Sequence, residues 1–123
     1  MQKLVRSSAL LTALIVAAIT LSGCAPSSYD VKKYAAIIDV RTVDEYAAGH
    51  LEGAVNMDIE SPAFATQITA LDKTKSYLLY CHSGRRAGLA VDQMKASGFT
   101  GELVNAGGIA DATASTGLPI VTN

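Results

Sequence analysis

Four short apolar runs punctuate the chain, and the first three each lead into a stretch with helix signals. Ala35–Val40, "AAIIDV", is apolar but for Asp39, as expected of a strand buried on both faces. Thr42–Gly49 follows, with Thr42 and Glu45 spaced as a capping box and Gly49 as a stop. Gly53–Met57 is a short second strand. Ser61–Asp72 reads as a helix with Ser61 as its N-cap and Pro62 in its first position. Ser76–Tyr80, "SYLLY", is a third strand that ends directly at Cys81. Arg86–Gly98 puts Leu89, Ala90, Met94 and Val91 on one helical face and closes on Gly98. Gly101–Ala106 is a fourth strand, followed by a tail that begins with a glycine pair. Strands alternating with helices predict an α/β domain with a mostly parallel central sheet flanked by helices. Reactive groups in such sheets sit beyond the carboxyl ends of the strands, which is where Cys81 falls.

The first 23 residues do not belong to that pattern. Lys3 and Arg6 precede a 13-residue apolar core, Ala9–Leu21, and small residues follow. These are the features of a secretory signal peptide, with a core short of the roughly 20 residues that span a bilayer. "LSGC", Leu21–Cys24, resembles the lipobox of bacterial lipoproteins, in which the cysteine is lipidated and becomes the mature N-terminus. The expected organisation is a lipoprotein signal peptide over 1–23, a tether over 24–30 and one domain over 31–123. The partner this implies is a lipid bilayer held through acylated Cys24. The location is the outside of the cytoplasmic membrane or, in a cell with two membranes, the periplasmic face of the outer one. Removing the leader takes away Lys3 and Arg6 and no acidic residue, leaving eight basic against eleven acidic side chains, a net charge of −3. Without a basic run, nucleic acid is not an expected partner.

Export sharpens the question of the cysteines, of which there are two, Cys24 and Cys81. Exported cysteines usually pair, but a lipidated Cys24 leaves Cys81 as a lone thiol. Its neighbourhood is "CHSGRR". His82, Ser83, Gly84 and Arg85 must curl round the sulfur, with Arg86 in the first turn of the next helix. A tight loop at a helix N-terminus turns backbone N–H groups inward, Gly84 permits close approach, and such donors favour a thiolate. A thiolate in a cationic cradle is a nucleophile, and arginines hold anions.

Three segments carry a resemblance to a known family. "IIDVRTVDEYAAGHLEGAVNM" resembles the opening motif of the rhodanese family. "CHSGRRA" resembles its active-site loop, cysteine first and arginine sixth, and "NAGG", Asn105–Gly108, its closing motif. They span residues 37–108 in the family's order. The resemblance implies a rhodanese-like three-layer domain and a thiosulfate sulfurtransferase needing no metal or organic cofactor. Cys81 would take the outer sulfur of thiosulfate as a persulfide and pass it to cyanide or a thiol. Arg86 would face the substrate, with Arg85, His82, Ser83 and Gly84 around it. Asp39 and Arg41 are expected to form a polar brace, Glu45 a cap, and His50 a backbone contact in a turn. Gly107 and Gly108 complete the structural motif. Many members of the family carry a tryptophan after the glycine pair; here Ala112 stands near that place.

Two other readings fit parts of the pattern. Cysteine-dependent phosphatases also use a Cys–loop–Arg cradle, but one residue longer, and the matching position here is Ala87. A lipid-anchored module that binds persulfide or senses redox state through Cys81 without turnover is the second alternative.

Overall fold

The computed structural model describes residues 28–122. The elements, in order, are β1 (Ala36–Asp39), α1 (Val43–Ala48), β2 (His50–Leu51), β3 (Val55–Asn56), α2 (Phe64–Thr69), β4 (Tyr77–Cys81), α3 (Arg85–Ala96), β5 (Leu103–Gly108), α4 (Ile109–Thr116) and β6 (Ile120–Val121). Four strands form a sheet in the order β3-β1-β4-β5, parallel at every pairing. A separate antiparallel pair joins β2 to β6. The α/β architecture read from the sequence is therefore the one observed. The signal peptide expected over 1–23 and Cys24 lie outside the described residues.

Strand β4 runs through the middle of the sheet and is buried along its whole length. Alternation sends Tyr77, Leu79 and Cys81 to one face, against Phe64 and Ile68 of α2 and Ala87, Ala90, Val91 and Met94 of α3. Leu78 and Tyr80 go to the other face, with Ile37, Leu51, Ala106 and Ala112. Cys81 thus belongs to one core, and the residue before it to the other. Ala112 is fully buried against the sheet, so α4 packs there on a methyl group.

Local signals explain α1 well. Thr42 caps it, its hydroxyl accepting from Glu45 N while the Glu45 carboxylate accepts from Thr42 N. Such caps are worth about 1 kcal/mol. Helix α2 is shorter than its sequence suggests. Ser61 accepts from Ala63 N in a turn, and helical residues begin only at Phe64. Leu89 was expected on the buried face of α3 and is instead 48% exposed. The helix starts at Arg85, one residue earlier than read, and its buried stripe runs through Ala87, Ala90, Val91 and Met94, with Leu89 on the opposite side of the helix. The β2–β6 pair had no counterpart in the sequence reading. Packing also reaches into the expected tether, because Tyr29 N donates to Ser115 O at 2.8 Å and the Tyr29 ring packs on the second core.

Candidate active site

The chain leaves β4 at Cys81 and turns back within three residues into α3. Gly84 makes that turn possible: it sits at φ +94°, a left-handed conformation that favours glycine. Gly84 is also the N-cap of α3, and it has no side chain to satisfy the first turn. Cys81 supplies the missing acceptor. Its Sγ receives the N–H of Gly84 at 3.0 Å and that of Ala87, the third residue of the helix, at 3.4 Å. A sulfur thus stands where a capping oxygen usually does, at the positive end of a 12-residue helix. Two donors and a helix dipole converge on one atom, an arrangement that stabilises negative charge there.

Cys81 is wholly buried, whereas His82, Ser83 and Arg85 are exposed on the loop. Arg85 has no ion-pair partner among the described residues. Arg86, expected to face the substrate, directs its two terminal nitrogens to the Glu45 carboxylate at 2.8 and 2.9 Å. Glu60 adds a longer contact at 3.7 Å. The Arg86 hydrogen bond, with the bonds from Thr42, holds the Glu45 carboxyl down at about 2, and the same carboxylate raises Arg86 further above its ordinary value. Glu45 thus does more than cap α1: it ties that helix to the start of α3. No local pattern marks such a bond, because the partners lie 41 residues apart and the capping box already accounts for the glutamate.

Asp39 and Arg41 form a buried brace at the end of β1. Arg41 Nε and Nη2 donate to the Asp39 carboxylate at 2.7–3.1 Å, and Nη2 also donates to Gly49 O at 2.6 Å. Next to them, the Tyr80 hydroxyl accepts from Leu51 N at 3.0 Å, and burial raises that phenol well above its usual range. His50 lies in β2 rather than in a turn. Its Nδ1 donates to Tyr46 O at 2.9 Å and its ring stacks on Tyr46 at 3.7 Å, so its contacts are with α1 and not with the sulfur loop.

The β5–α4 junction closes the loop from the far side. A Cβ on Gly108 would strike the carbonyl of His82, so only glycine lets the two backbones lie this close. Gly107, at φ +85°, makes the bend before it. A groove of about 550 Å³ runs beside this junction, bounded by Arg41, Glu45, Ala48, Ile109, Thr113 and Ile120. Neither Cys81 nor its loop lines this groove, so the hydrogen-bonded sulfur, not the groove, marks the chemistry. Among the described residues, no three His, Cys, Asp or Glu side chains are grouped as metal ligands would be.

Comparison with known proteins agrees with this geometry. The thiosulfate sulfurtransferase PspE of Escherichia coli is 32% identical over 74 residues, covering 60% of this chain and 70% of that one. The chloroplastic thiosulfate sulfurtransferase 16 of Arabidopsis thaliana is 32% identical over 92 residues, covering 67% of this chain and 76% of that one. Among solved structures, a rhodanese with anions from E. coli superposes with a TM-score of 0.58 at 31% identity, over 72% of this chain and 98% of that chain. Residues 27–115 match the rhodanese-like domain, and with Cys81 hydrogen-bonded at the head of α3 and the β5–α4 glycines closed over its loop, the chain belongs to that family.

Proposed function

We propose that the protein is a sulfurtransferase that carries a sulfane sulfur on Cys81. The observation that supports this most directly is the pair of N–H donors, Gly84 and Ala87, aimed at one sulfur at the head of α3. The Cys81 thiolate attacks the outer sulfur of thiosulfate. The S–S bond of the donor breaks, sulfite leaves with the bonding pair, and a Cys81 persulfide remains. A thiol or cyanide then attacks the outer persulfide sulfur and returns the thiolate. The loop donors that favour the thiolate also suit the persulfide anion, so one set of groups serves both half-reactions. Arg85 attracts the anionic donor at the rim, while Arg86 acts chiefly by fixing the helix start through Glu45.

Intact mass spectrometry after thiosulfate tests the reading. Wild type should gain one sulfur, and that sulfur should leave on adding cyanide; Cys81→Ser should gain none while keeping its fold. A serine hydroxyl is barely ionised at neutral pH and forms no persulfide. Transfer by the serine variant at the wild-type rate would end the proposal. Sulfur that loads but passes to no acceptor would favour the persulfide-binding module instead.

The reading extends to location. "LSGC" supports cleavage before Cys24 and lipidation of its sulfur, which would hold the domain on the outer, periplasmic or extracellular side of a membrane. The full-length chain should sediment with membranes and its Cys24→Ala form should lose that anchor. A wild-type chain that stays soluble with an unmodified Cys24 would remove this part of the proposal.

A further inference from the structure

Asn105 is exposed, yet both ends of its side chain are engaged. Its Oδ1 accepts from Gly107 N at 2.9 Å, and its Nδ2 donates to Gly84 O at 2.9 Å. A backbone N–H only donates and a carbonyl only accepts, so the two partners settle which end of the amide is which. The first bond closes a turn across Ala106 and puts an extra residue into β5. Leu79 pairs with Asn105 and Cys81 with Gly108, so β5 advances three residues where β4 advances two. That irregularity swings the end of β5 over the sulfur loop, where a Cβ on Gly84 would come within 3.2 Å of Gly107.

The second bond reaches into the loop itself. Gly84 O also receives Gly88 N at 3.0 Å, an opening bond of α3, and Gly84 N is the nearer donor to Cys81 Sγ. One exposed amide therefore ties the bulge of β5 to the residue that both starts the helix and serves the sulfur. The backbone ladder to β4 runs on both sides of Asn105, so holding the strand does not require this side chain.

We infer that Asn105 is a positioning residue for the sulfur site, holding Gly84 so that its N–H stays on Cys81. The functional importance of this rests on Cys81 as the sulfur-carrying nucleophile. The bond itself is tested independently of any activity, by hydrogen exchange of the Gly84 amide in the resting full-length protein, read by NMR beside the Leu78 and Leu79 amides of β4. Asn105→Ala removes both bonds. Asn105→Asp keeps an acceptor for Gly107 N but sets a carboxylate oxygen against the Gly84 carbonyl. Both variants should speed Gly84 exchange by about fivefold or more, the worth of one hydrogen bond, with Leu78 and Leu79 unchanged. Sulfur loading from thiosulfate should slow by a similar factor. If Asn105→Ala fails to fold, Asn105→Asp decides, because it preserves the turn at Gly107. Wild-type Gly84 exchange in Asn105→Asp would overturn the inference and confine Asn105 to the turn. A wild-type protein that loads no sulfur while the variants still free Gly84 would overturn the sulfurtransferase proposal and leave the positioning role standing.

Discussion

Replacing Glu45 with Gln keeps the shape of the side chain and removes its charge. The capping acceptor for Thr42 N survives in the amide, so the substitution isolates the bond to Arg86. A carboxyl held at about 2 rather than 4.5 is worth at most roughly 3 kcal/mol, at 1.36 kcal/mol per pH unit. The pair is not dry: the Glu45 side chain is 34% exposed and that of Arg86 19%. Solvent screening reduces the contribution to about 1 kcal/mol, the upper end for exposed pairs and in keeping with bidentate geometry. A double-mutant cycle with Glu45→Gln and Arg86→Ala, unfolded by urea and followed by circular dichroism, should return that coupling at pH 7. For a domain of this size it moves the midpoint by roughly 0.5–1 M. The sign with pH follows from the direction of the shift. A carboxyl depressed in the folded state stabilises the fold above its ordinary range, and the contribution is lost as pH falls from about 4.5 towards 2. The gap between wild type and Glu45→Gln should therefore close over that window. A coupling under about 0.3 kcal/mol, or a gap that does not change with pH, would refute the claim that this pair fastens α1 to the loop.

Two further substitutions probe the frame around the sulfur. Tyr80→Phe leaves the Leu51 N–H without its acceptor in the core, which should cost about 1–3 kcal/mol and lower the melting temperature by about 4–8 °C for each kcal/mol; an unchanged melt would show that water replaces the hydroxyl. Gly108→Ala forces the β5–α4 junction away from His82, so sulfur loading and stability should both fall, the latter by roughly 1–3 kcal/mol, and a variant as active as wild type would show that the junction does not hold the loop.

What could be read from the sequence was what is local. The run into Cys81, the Thr42–Glu45 box and the Gly84 turn each depend on residues within a few positions of one another, and each is present in the structure. The reading failed where the cause lies far along the chain. Strands β2 and β6 have two residues each and are joined through Leu51↔Ile120, too short for any periodicity to show. The bidentate bond from Arg86 to Glu45 and the Asn105 bridge to Gly84 are likewise contacts between separate elements. Leu89 is apolar enough to be read into the core, but helical periodicity sets it on the side of α3 away from the stripe of Ala87, Ala90, Val91 and Met94, so it is exposed. Helix α2 shows a limit of a different kind: the Ser-Pro start signal was spent on a turn.

The complete burial of Cys81 has a consequence for survival. Joining two cysteines brings their Cβ atoms to about 3.8 Å. A thiol at the floor of a core, roofed by its own loop and by Gly108, cannot offer that approach to a cysteine on another folded surface. Slim inorganic sulfur species face a smaller steric barrier than a protein does. For a protein exported as proposed, lone thiols around it are exposed to oxidants and to one another. Burial of this kind therefore disfavours mixed disulfides between Cys81 and cysteines of other folded proteins.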